Sequence, residues 1–409
     1  MGGAGFGRAR AGWCNGAMAE RRDGRWSRRA WLRQVVAAAL AGLAPRARAR
    51  GPVPGRVPGP ELAPPDALGL RLPPGFSARV VARSGEPPVP RSDYRWHGAP
   101  DGGAVFPRGD GGWIYVSNSE LQGGRGGVGA LRFDRSGRVV AAYSIMSGGR
   151  RNCAGGATPW GTWLSCEEVP DGLVWECDPE GRRPARPLPA LGRFAHEAAA
   201  VDPATGVVYL TEDVPGGLLY RYVPPRPARG GRAPDLDGGR LEALARAPGG
   251  GLRWAAVPGR PADRPLRERV PGGVAFDGGE GIVWLDGRVV FATKGDGRIR
   301  VLEPEAARLA VLWDPARHAR PGLAAPDNLA VTPGGNVLAA EDGGELRLSV
   351  VTPGGDAFAV VQVTGQPASE LTGPAFHPAG DRLYFSSQRG TAGHAGGGIT
   401  YEVRGPFRW

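Results

Sequence analysis

Lysine is nearly absent from this basic chain: of 51 Lys and Arg residues, only Lys294 is lysine. Cysteine is scarce too, at four residues in 409. That excludes a disulfide-dense scaffold, and no zinc-finger spacing of Cys and His is present. The apolar run at 35–44 is too short to cross a bilayer as a permanent helix. After residue 70 no segment keeps an apolar 3.6-residue period long enough for a major helix. Rossmann, phosphate-loop, haem and Ser-His-Asp signatures are missing. The formal charge of +11 is spread over single arginines without a basic helix, so no nucleic-acid partner is expected.

Glycine and proline are abundant, 69 and 41 residues, and read as many turns between short strands. Six segments share one pattern: an apolar pair, a Pro- or Gly-centred turn, an apolar strand, then Ser, Thr or Ala before a polar end. They are 105–120, 157–168, 201–213, 283–296, 331–342 and 376–388. Apart from one longer gap they recur at roughly 45 to 50 residues, the period of four-stranded propeller blades. The expected fold is all-β, a β-propeller of about six blades over 71–409. The gap at 224–271, with a weak helical stretch at 241–245, reads as an irregular loop or cap inserted in one blade.

The N-terminus carries Ser27-Arg-Arg-Ala-Trp-Leu-Arg33, the short apolar run and Ala47-Arg-Ala49, a removable export signal of the twin-arginine (Tat) type over 1–49. This implies the Tat machinery as a partner, a periplasmic or secreted protein and no permanent membrane anchor. Residues 50–70 read as a Pro- and Gly-rich tether, and a monomer is expected.

If the repeated strands are the innermost, Glu120, Glu168, Asp213, Lys294 with Asp296, Asp342 and Gln388 gather at one mouth of the channel. Carboxylates converging there repel one another unless cations neutralise them. The stretch 152–168, NCAGGATPWGTWLSCEE, adds a thiol at Cys153 and acids at Glu167 and Glu168. Sulfur beside hard oxygen donors suits a transition metal next to a calcium-like ion. Cys153 is otherwise a small buried hydrophobe. Cys166 falls opposite Cys177 about a turn at Asp171-Gly172, either as a disulfide or as a reduced pair, leaving Cys153 unpaired. Lys294 either meets a phosphate as a point charge or is a solvated turn residue.

The 152–168 block resembles the signature of the PhoX-type alkaline phosphatases. That resemblance implies an exported propeller with Ca2+ and Fe3+ that acts on small phosphorylated substrates. It also implies iron on Cys153, on Glu197 of Arg193-Phe-Ala-His-Glu197 and on Glu280 of Phe276-Asp-Gly-Gly-Glu280. Asp213, Asp327, Asn328 and Asp342 are implied as calcium ligands, with Glu120, Glu168 and Glu370 in the same ring and Lys294 or Arg389 as catalytic cations. Two departures stand out: Gly278 where the family usually has Arg, and Arg389 after Gln388 where it has His-Pro-Gly. Because a guanidinium is the natural clamp for a phosphoryl oxygen, a non-catalytic binding propeller and a lactonase-like hydrolase are kept as alternatives.

Overall fold

The computed structural model describes residues 59–228, 232–259, 264–318 and 322–409. Among them are strands, four short 3-10 turns and no α-helix, and no helix is long and apolar enough to cross a membrane. The export signal lies outside the described residues.

Six antiparallel sheets surround one axis. Their first strands are Pro100–Pro107, Asn152–Ala157, His196–Val201, Gly279–Leu285, Pro326–Val331 and Leu371–Phe376. Each packs on the next and the last returns to the first, closing a six-bladed propeller. The repeats seen in the sequence are therefore the second strands, Trp113–Ser119, Trp163–Glu167, Val208–Glu212, Arg288–Thr293, Val337–Glu341 and Arg382–Ser387. The innermost strands are poor in large side chains for a steric reason. A Cβ on Gly102 would lie 2.5 Å from Ala154 Cα, one on Gly281 2.5 Å from Asp327 O, and one on Gly373 2.5 Å from Asp101 O. Neighbouring blades approach backbone to backbone there, and only glycine fits.

Blade six is closed by both ends of the chain: Ser77–Arg83 pairs with Ile399–Arg404. Their join is pinned by Glu402, fully buried, which accepts from Tyr384 Oη at 2.6 Å and pairs with Arg79, Arg382 and Arg404. The part of the expected tether that is described packs on the propeller instead, since Leu70–Arg71 adds an edge strand to blade five and Leu70 is buried. The described residues of 224–271 are also more regular than a cap. They contain Arg240–Arg246 and Leu252–Ala256, the two outer strands of a five-stranded blade three. The expected helix at 241–245 is a strand because Ala243, Leu244 and Ala245 are buried within that blade, which overrides their helix propensity.

The cysteine register also differs from expectation. Cys166 pairs with Val174 and Cys177 with Trp163. Glu167 accepts the Leu173 amide at 3.1 Å and so braces a wider connection than a two-residue turn. The three-residue offset sends the two thiols to opposite faces of the sheet, into different core clusters. Cys153, Cys166 and Cys177 are all free.

Candidate metal centre

One hydrogen bond repeats six times and builds the channel mouth. The amide after each second strand donates to the carbonyl two residues before the start of the matching inner position: Glu120 to Ala99, Glu168 to Arg151, Asp213 to Ala195, Lys294 to Gly278, Asp342 to Ala325 and Gln388 to Glu370. Two residues beyond those acceptors stand Asp101, Cys153, Glu197, Glu280, Asp327 and Thr372. In each blade the ladder slips by one near this point, a β-bulge that re-aims side chains. Two rings of functional groups result, one from the inner strands and one from the second-strand ends.

The donors form four groups, each with ligand atoms within 4.8 Å of one another: Asp101, Glu120 and Cys153; Cys153, Glu168 and Glu197; Glu197, Asp213 and Glu280; Asp327, Asp342 and Glu370. Nine of the ten residues expected as ligands are thus brought together. Asn328 stands beside the fourth group: its Oδ1 accepts the Gly373 amide at 2.7 Å and its Nδ2 donates to Asp327 at 2.8 Å. It ties blade five to blade six and orients Asp327. Asp296 also leaves the ring, binding Arg298 and Arg300.

Sequence reasoning missed Asp101 and Arg151. Pro100-Asp101 holds the same blade position as Pro326-Asp327, and that likeness was the available signal. Arg151 immediately precedes the Asn-Cys pair with a φ of 50°. Its guanidinium bridges Glu120 and Glu168, at 3.0 Å and 2.7 Å. Gln388 donates to Asp101 at 2.7 Å and Glu120 at 2.8 Å.

The acids adjacent to the ring have a different role. Glu167, Glu212 and Glu341 each accept the amide six residues on, from Leu173, Leu218 and Arg347. They brace hairpins, so each Glu-Glu or Glu-Asp pair divides into one structural and one channel carboxylate. Asn118 donates to the carbonyls of Cys153 and Ala154 at 3.0 Å and 2.7 Å and accepts from Trp163 Nε1 at 2.8 Å, which fixes the thiol's backbone.

Without cations the arrangement is electrostatically unfavourable. Burial, then neighbouring acids, pushes Asp101, Glu197 and Glu280 well above the carboxylate range. Glu168 is pushed up to about 8, Asp327 to about 6 and Glu370 to about 10, burial leading in each case. The Cys153 thiol is pushed up as well, by burial and by Asp101 and Glu197. That argues against a free thiolate nucleophile, which needs electropositive surroundings. Both Glu197 carboxylate oxygens are buried and have no hydrogen-bond partner, in a residue only 1% exposed. An orphaned carboxylate beside a thiol and further acids fits a metal ion of mixed soft and hard preference.

The cations present are Arg151, Arg389 and Lys294. Arg389 is 2.7 Å from Glu370. Lys294 Nζ is 2.9 Å from Glu280, 3.4 Å from Asp213 and 4.0 Å from Asp342. Burial works against the ammonium, but Glu280, Asp327 and Asp213 outweigh it and hold Lys294 above its ordinary pKa.

Comparison with known proteins bears on the family and the fold. A family model described as alkaline phosphatase PhoX matches residues 115–173 and 170–308. The structure of Pseudomonas fluorescens PhoX, solved with vanadate, a transition state analogue, superposes with a TM-score of 0.68 at 18% identity, over 85% of this chain and 98% of that one. A protein of unknown function from Bacteroides thetaiotaomicron gives 0.50 at 8% identity, over 80% and 76%. A gluconolactonase of Xanthomonas campestris gives 0.45 at 14% identity, over 88% and 100%, too low a score to carry an argument. No curated protein sequence matches. The family match runs from the second strand of blade one into blade four, across Cys153, Glu197 and Glu280, just under half of the chain, and the propeller shares the fold of a PhoX: the chain is similar to the PhoX-type alkaline phosphatases.

Proposed function

We propose that the protein is an exported, metal-dependent phosphatase that hydrolyses small phosphate monoesters at the channel mouth. The observation that carries this reading is the orphaned Glu197 carboxylate, shared between two donor groups that also contain Cys153 and Glu280. Cys153, Glu197 and Glu280 would hold iron. Asp213, Asp327, Asp342, Glu120, Glu168 and Glu370, joined by Asp101, would hold calcium. Bound there, such ions supply Lewis acidity toward phosphoryl oxygens and toward the attacking water.

The chain's own residues orient and balance the site. Gln388 and Arg151 hold Asp101, Glu120 and Glu168 in place. Arg389, 36% exposed, and Lys294, 49% exposed, present positive charge to an incoming phosphate and to the charge that builds in the transition state. A periplasmic or secreted location follows from the twin-arginine segment.

The test is metal analysis of protein purified without chelator, together with turnover of a phosphomonoester panel. Iron, calcium and turnover that are all lost in Cys153→Ala support the reading, and full activity in a metal-free sample overturns it.

A further inference from the structure

Lys294 stands at a ring position that holds a carboxylate in four of the other five blades: Glu120, Glu168, Asp213 and Asp342, with Gln388 in the fifth. Its ammonium lies among acids of three blades, at 2.9 Å from Glu280, 3.4 Å from Asp213 and 4.0 Å from Asp342. The space for it comes from Gly278. A Cβ there would fall 2.8 Å from Asp213 Oδ1 and 3.1 Å from Lys294 Cβ, and the backbone φ of +70° disfavours any other residue. A side chain at 278 would therefore require Asp213 Oδ1 and Lys294 Cβ to shift. The choice of lysine, in a chain whose other cations are all arginine, is also informative. An ammonium is a compact point charge with three donors, closer in shape to a bound ion than a planar guanidinium is.

We propose that Lys294 is a built-in substitute for a divalent cation in the Asp213–Glu280 sector, so that the centre takes up one metal ion fewer than its acids would otherwise demand. It donates to Asp213 at 3.4 Å and forms an ion pair with Glu280 at 2.9 Å. Being half-exposed, the ammonium can also meet an anionic substrate oxygen as a calcium ion in that place would. The inference rests on the metal-dependent reading and refines it: one positive charge of the centre is supplied by the chain's own strand end.

The experiment is calcium titration by calorimetry, with metal analysis, on the full propeller as wild type, Lys294→Met and Lys294→Glu. The expected result is one additional calcium equivalent per chain in both variants, and in Lys294→Glu a thermal stability that calcium restores to the wild-type value. Lys294→Glu installs the carboxylate that the equivalent blade positions carry, so it keeps the test open should Lys294→Met fold poorly. Equal metal equivalents in all three proteins overturn the proposal, including the case where only KM for a phosphomonoester rises. Wild-type protein that binds no metal would instead sink the metal-dependent reading, so the two failures are distinguishable.

Discussion

Replacing Glu197 by methionine should change the protein's stability with opposite signs in the absence and presence of metal. Both Glu197 oxygens are buried without a partner, and neighbouring Glu280, Asp327 and Glu168 add repulsion. A buried group left unsatisfied costs about 1–3 kcal/mol, so an apolar side chain of similar volume should stabilise the metal-free protein by roughly 2 kcal/mol. Unfolding entropy of about 2 cal/mol/K per residue, over a propeller of about 340 residues, gives a slope near 0.7 kcal/mol/K, or a rise of about 3 °C in Tm. With ions present the balance reverses. Each ion held at a hundredfold excess over its Kd contributes about 2.7 kcal/mol, or about 4 °C on the same slope. Glu197 belongs to two donor groups, so up to two such contributions are at stake. Thermal melts of wild type and Glu197→Met, in excess chelator and in excess calcium with iron, read both signs. A variant that melts lower than wild type in chelator, or that keeps the full metal-induced shift, refutes the reasoning.

Three further outcomes follow. The folded-state pKa values of Asp327, Glu168 and Glu370 are raised to about 6, 8 and 10, so the metal-free folded state binds more protons than the unfolded chain across that window. Its stability should be highest below the unfolded carboxylate pKa and fall as pH rises from about 4 to about 10, while metal-loaded protein should not show that fall; Tm against pH in chelator and in calcium measures both. Gly278→Arg should cost about 1–2 kcal/mol for positive φ alone and should not raise phosphatase activity, because the new side chain meets Asp213; denaturant midpoints and kcat/KM check this. Reductant should leave Tm unchanged, and thiol titration of the denatured signal-free chain should count three thiols, since Cys153, Cys166 and Cys177 are all free.

The legible part of the fold was the part written in apolar strands. The second strands are rich in Val, Ile, Leu and aromatics and end on a polar residue, so their number and the ring of their ends could be read from spacing. The innermost strands were hidden because their chemistry is set by crowding. Gly102, Gly281 and Gly373 look like turn residues and are instead places where two backbones touch. Most residues of the ring followed from the repeat register or from the family resemblance. Asp101 did not, being a single acid ahead of two glycines, and neither did Arg151, whose position depends on a left-handed backbone that a sequence does not announce. The Cys166 register was misread because a buried carboxylate, Glu167, reaches across to Leu173 and sets the length of the connection. Side-chain bracing of this kind is outside the reach of a two-residue turn rule.

The measurement that bears most directly on the account is the metal content of wild-type and Cys153→Ala protein, purified without chelator and assayed in parallel on a phosphomonoester. Iron and calcium with turnover in the wild type, and loss of iron and turnover together in the variant, are the predicted result. Turnover that survives in protein free of both metals would contradict it.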